Sequence, residues 1–98
     1  MNTVQLKYFI AVAETLSFPQ AARELFVAQT AISQQIASLE RELDVTLFTR
    51  TTRAVHLTAA GKALYEEAKS VLAQLERATF KAKQYEIGAA GFLNLGFP

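Results

Sequence analysis

Ninety-eight residues, 51% of them apolar and none a cysteine, suffice for one small domain with a modest core and exclude a disulfide framework or a thiolate metal site. The N-terminus lacks the basic flank and apolar run of a signal peptide, and no stretch approaches the ~20 apolar residues that cross a bilayer, so a soluble, cytoplasmic protein is expected. A formal net charge of +1 excludes a uniformly basic surface, which leaves the local distribution of charge to decide any affinity for nucleic acid.

From Thr3 to Leu16, the residues Leu6, Phe9, Ile10 and Ala13 recur at helical spacing along one face, with Asn2 or Thr3 placed to cap the helix. Ser17 and Gln20 have the spacing of a capping box, and Pro19 falls in a first turn, where no backbone N–H is needed. A short second helix follows, ending near Phe26, with Ala22, Leu25 and Phe26 as its expected buried side. The third helix is expected from Gln29 to Leu43, its apolar stripe formed by Ile32, Ile36, Leu39 and Leu43. Opposite that stripe lie Thr30, Gln34 and Arg41, flanked by Ala37 and Ser38, with Gln29 and Ser33 near the N-terminus. A helix that only faces water carries more Glu and Lys than this polar, small and mostly uncharged surface does.

Leu47–Arg50 and Val55–Leu57 read as two short strands joined by Thr51–Ala54, with outward His56 alternating against Val55 and Leu57. Between Val45 and Lys62 the chain carries Arg50, Arg53, His56 and Lys62 without an acid, while Glu40, Glu42 and Asp44 cluster just before. Thr58 is a good N-cap for a long helix to about Ile87, roughly 40 Å at 1.5 Å per residue. Along it Leu64, Ala68, Val71, Leu75, Ala78, Ala82 and Tyr85 are spaced alternately four and three residues apart, a heptad seam suited to a partner helix. Tyr65 and Leu72 lie off the seam, free to pack on the preceding helices. Gly88–Gly91 then reads as a hinge, and Phe92–Phe97 as a strand whose partners would lie beyond Pro98. The expected division is a domain over residues 1–58, a dimerisation helix over 59–87, and a hinge with the first strand of a further domain over 88–98.

The fold expected from this order is mainly α: three helices and a two-stranded wing, followed by one long helix. Ala22 and Ile32, ten residues apart across the turn Phe26–Ala28, suit a helix-turn-helix, which places its third helix in the DNA major groove. Gln29, Ser33 and Gln34 can bond base edges there, and Thr30 adds a hydroxyl. Arg50 and Arg53 are candidates for phosphate or minor-groove contact; for Arg50 the plainer alternative is pairing with an acid on the domain surface. Neither Glu40/Glu42 nor Glu66/Glu67 forms a nucleophile–base constellation, and both pairs read as solvated helix faces. No metal ligand set and no catalytic residue stand out. A protein–protein adaptor on the same winged fold is the rival class, and the acid-free hairpin argues against it.

The chain resembles the LysR-type transcriptional regulators. The resemblance rests on Gln5-Leu6-Lys7-Tyr8-Phe9-Ile10-Ala11-Val12-Ala13-Glu14, on Ser17-Phe18 with Ala21-Ala22, and on Gln29-Thr30-Ala31-Ile32-Ser33 with Ile36 and Leu39-Glu40. Leu47-Phe48-Thr49-Arg50 and Val55-His56-Leu57-Thr58-Ala59-Ala60-Gly61 complete it. It implies a dimeric regulator that reads a double-stranded operator as an interrupted inverted repeat, with Arg53 on a wing reaching the adjacent groove. It also implies dimerisation through the long helix, a possible tetramer of the intact protein, and a C-terminal domain that binds a small-molecule effector; no cofactor is expected within these residues. Four positions depart from the family pattern: Ala28 replaces a Ser, Thr30 a Pro, Gln34 a frequent Arg, and Asp44 a Gly at a site where positive φ is expected.

Overall fold

The computed structural model describes residues 1–92, with side-chain surroundings as far as Glu86. Helix α1 spans Thr3–Thr15, α2 Phe18–Leu25 and α3 Gln29–Leu43, followed by strands β1 (Phe48–Arg50) and β2 (Val55–Leu57) and helix α4 (Ala59–Phe92). Asn2 caps α1 through a full capping box: its Oδ1 accepts the Gln5 N–H at 2.8 Å, and Gln5 Oε1 accepts the Asn2 N–H at 3.3 Å. Ser17 caps α2 by accepting the Gln20 N–H at 3.1 Å, but the reciprocal bond is absent. The Ser17 N–H donates to Thr15 Oγ1 instead, and the Gln20 side chain turns outward to Arg23 and Glu24.

All three short helices end on a residue in the left-handed region, Leu16, Phe26 and Asp44, and none of these is glycine. At Asp44 this matches the positive φ expected there. At Phe26 it overturns the expectation of a buried side chain: the left-handed cap swings the ring away from the helix face that carries Ala22, leaving it 94% exposed.

The first three helices bury Leu6, Phe9, Val12, Phe18, Ala21, Ala22, Ile32, Ile36 and Leu39 against one another and against Leu47 and Phe48. The wing pairs antiparallel in the register Phe48↔Leu57, Thr49↔His56 and Arg50↔Val55. That register sends Phe48 inward, where its ring lies 5.5 Å from Phe9 and 5.9 Å, edge on, from Phe18. The tip is tied by Thr51, whose N–H donates to the Ala54 carbonyl and whose Oγ1 accepts the N–H groups of Arg53 and Ala54.

Helix α4 starts on Thr58, whose Oγ1 accepts the Gly61 N–H at 2.9 Å while its own N–H donates to the Leu47 carbonyl at 2.9 Å. Tyr65 and Leu72 pack against the core. The glycines at 88 and 91 do not stop the helix at Ile87: it continues to Phe92. A glycine inside a helix costs only about 1 kcal/mol relative to Ala, and Ala89 and Ala90 between them favour helix. Of the strand expected over Phe92–Phe97, Phe92 is thus helical and the remainder lies outside the described residues.

Candidate nucleic-acid interface

Because Ile32, Ile36 and Leu39 are fully buried, the opposite face of α3 is fixed outward. Gln29, Thr30 and Gln34 are exposed and Ser33 is half-buried beside them, so the four residues expected to meet base edges share the N-terminal end of one open surface. The N-terminus of α3 has no side-chain cap: Ala28 occupies the N-cap position in extended geometry and offers only its carbonyl, to the N–H groups of Ala31 and Ile32. Its first-turn N–H groups therefore keep capacity for another acceptor. Ala28→Ser should supply a hydroxyl for one of them and stabilise the domain by about 1 kcal/mol, read as a rise in Tm. An unchanged Tm would show that those donors are already satisfied.

Arg50 and Arg53 are both exposed, on and just beyond β1. Among the described residues no carboxylate comes within ion-pairing distance of either, so the pairing considered for Arg50 is not made. Arg50 rests on an aromatic ring instead, its guanidinium carbon 4.0 Å from the centroid of Phe18. One open groove is lined by Ser17, Phe18, Pro19, Gln29 and the segment Arg50–Val55, bringing the start of α2, the start of α3 and the wing to a common surface.

Glu40 ties the wing to α3, which corrects its assignment as a solvated face. Its carboxylate accepts the N–H of Leu47 at 2.7 Å and of Phe48 at 3.3 Å, the two residues that lead into β1. A charge-assisted bond to backbone N–H is stronger and more directional than a neutral one, so α3 and the wing hold a fixed relation. Glu42 lies on the other flank and pairs with the amino terminus of Met1. Glu66 pairs with Lys69 on the exposed side of α4.

Ala68, Leu64, Tyr65 and Leu72 pack α4 against the domain, and at the surface the Tyr65 hydroxyl donates to the Glu14 carboxylate of α1 at 2.9 Å. That bond keeps the proton on the phenol and pushes its pKa above the ordinary value. The seam divides in two along α4. Ala68 is 1% exposed, already covered within its own chain, and Leu64 is half-buried, so Ala68 has little area left for a partner. Val71, Leu75, Ala78, Ala82 and Tyr85 remain open, and Leu64, Val71 and Leu75 line a groove with Met1, ahead of α1, and with Leu6 of α1. Sequence reading missed Phe18, Glu40 and Met1 as parts of these surfaces. Among the described residues no cluster of His, Cys, Asp or Glu converges as a metal site, and no helix is long and apolar enough to cross a membrane.

Residues 3–62 match the family model described as the bacterial regulatory helix-turn-helix protein, lysR family. The chain is 45% identical over 96 residues to the HTH-type transcriptional regulator BudR of Klebsiella aerogenes, covering 98% of this chain and 67% of BudR. It is 41% identical to TfdT of Cupriavidus pinatubonensis, covering 97% of this chain and 42% of that regulator. Against the uncharacterised regulator YnfL of Escherichia coli it is 42% identical, covering 94% of this chain but only 31% of YnfL. Among solved structures it superposes on the BenM DNA-binding domain in complex with catB site 1 DNA with a TM-score of 0.86 and 36% identity, covering 90% of this chain and 98% of that one. The corresponding values for the CbnR DNA-binding domain–DNA complex are 0.83 and 41%, covering 88% and 99%.

Proposed function

The chain belongs to the LysR family of bacterial regulatory helix-turn-helix proteins, and from that premise we propose that it regulates transcription by reading duplex DNA as a homodimer. The observation that carries this reading is the groove in which Gln29, at the start of α3, stands beside two exposed arginines with no acid paired to either, while Thr30, Ser33 and Gln34 follow on the open face of the same helix. Such a surface contacts base edges through Gln29, Thr30, Ser33 and Gln34 and phosphates through Arg50 and Arg53. The DNA-bound state of the BenM and CbnR domains, which this chain resembles over most of its length, supports the same assignment.

Residues 1–58 serve as the reading head and the helix from residue 59 as the dimerisation element, its contact made mainly by Val71, Leu75, Ala78 and Ala82, with Leu64 at the edge and Ala68 beneath it. Two-fold pairing of that helix duplicates the reading head, so the operator is an interrupted inverted repeat. The chain spans 31% of YnfL and 42% of TfdT; in this reading the intact protein senses a small-molecule effector through a further domain and can assemble dimers into tetramers. The protein acts in the cytoplasm and has no catalytic role.

Arg53→Ala tests the phosphate side of this reading. It should weaken specific and mixed-sequence duplexes alike and reduce the slope of log K against log salt by about 0.9, one phosphate's worth. Titrations at several salt concentrations read the slope; an unchanged slope removes Arg53 from the backbone contacts.

A further inference from the structure

We propose that Phe18 is a positioning residue for DNA binding, holding the Arg50 guanidinium ready to meet a phosphate; this rests on the DNA-binding reading above. Arg50 sits at the outer end of the wing, opposite Val55, with its guanidinium carbon 4.0 Å from the Phe18 ring centroid. The ring is a fixed platform: Phe18 is 4% exposed and packs edge on against Phe48 at 5.9 Å, and Phe48 in turn lies 5.5 Å from the fully buried Phe9. A guanidinium held over an aromatic ring is positioned without a hydrogen-bond acceptor, so its N–H donors stay available for another partner. Among the described residues no carboxylate is near enough to occupy those donors as an ion pair. A long side chain loses rotamer freedom when it grips a phosphate, and stacking moves that loss from the binding step to the folding step. Phe18 thus raises affinity without touching DNA.

Phe18→Leu removes the aromatic face and keeps an apolar side chain. Binding of the full chain to a mixed-sequence duplex is measured for Phe18→Leu, Arg50→Ala and the double variant, with circular dichroism to follow folding. The expected result is a roughly three- to tenfold loss for Phe18→Leu, a loss at least as large for Arg50→Ala, and no further loss when Phe18→Leu is added to Arg50→Ala. Side-chain NMR of the unmodified protein supplies a readout that needs no variant: the Arg50 Nε–H and Hδ resonances should be shifted upfield by the ring. Equal losses from Phe18→Leu in both backgrounds would mean that Phe18 only supports the fold, and would overturn the proposal. So would unchanged binding by a folded Phe18→Leu, or the absence of the upfield shift. Failure of the unmodified protein to bind any duplex, with the upfield shift present, would instead overturn the DNA-binding reading and the positioning role with it.

Discussion

Leu75→Glu is expected to turn the proposed dimer into a monomer at low micromolar concentration and to lower operator affinity by roughly 10²- to 10⁴-fold, the avidity of a linked second half-site. Leu75 is 43% exposed in the protomer and continues the open part of the seam beside Val71, which is 54% exposed. In the monomer a glutamate there meets water at small cost. In the dimer it would be buried in an apolar interface without a partner, and removing a lone carboxylate from water costs more than separating the helices. The winged domain should survive, because its core of Phe9, Val12, Ile32, Ile36, Leu39 and Leu47 is built without Leu75. Sedimentation with circular dichroism decides the matter. A persisting dimer would place the interface elsewhere, and loss of the domain fold would make Leu75 part of its core.

Gly61→Ala is expected to lower stability by about 2 kcal/mol net, overpacking at the upper end of its range less the helix-propensity gain. An added Cβ would lie 2.3 Å from the Leu47 carbonyl oxygen and 2.8 Å from Leu57 Cδ2, and the nearer of these is backbone. Neither strand nor helix can yield without loosening the Thr58 N–H bond to that same carbonyl, which joins the start of α4 to the start of the wing. Alanine is the better helix former by about 1 kcal/mol, but that gain is smaller than the cost of overpacking, so the net effect is destabilising. The expected drop in Tm is on the order of 10 °C for a domain of this size. A Tm within a few degrees of the parent would mean that the strand–helix junction adapts freely.

The α3 limits Gln29–Leu43 were legible because its apolar spacing is strict and Asp44 marks a left-handed end. Val55, His56 and Leu57 alternate, and the pairing of β1 with β2 follows their expected order. Other features depend on contacts or backbone states that a local pattern does not encode. Phe26 falls on the expected buried side of α2, yet a left-handed cap redirects it to solvent. Glu40 looks like one acid among three, and only the fold brings it to N–H groups seven and eight residues on. Ala68 fits the heptad seam as well as Ala78 does; burial within its own chain distinguishes the two. Phe18 and Arg50 are thirty-two residues apart and meet only because Phe48, two residues before Arg50, packs against Phe18.

Selection from a pool of random duplexes, carried out with the unmodified chain and with Gln29→Ala and Gln34→Ala, tests the central claim most directly. The unmodified chain should enrich an interrupted inverted repeat. Each glutamine variant should lose preference at one base position per half-site, by about 1–3 kcal/mol of discrimination, with little change in its affinity for unselected DNA. Enrichment of no sequence, or of the same sequence with the same preferences by all three proteins, would contradict the placement of α3 in the major groove.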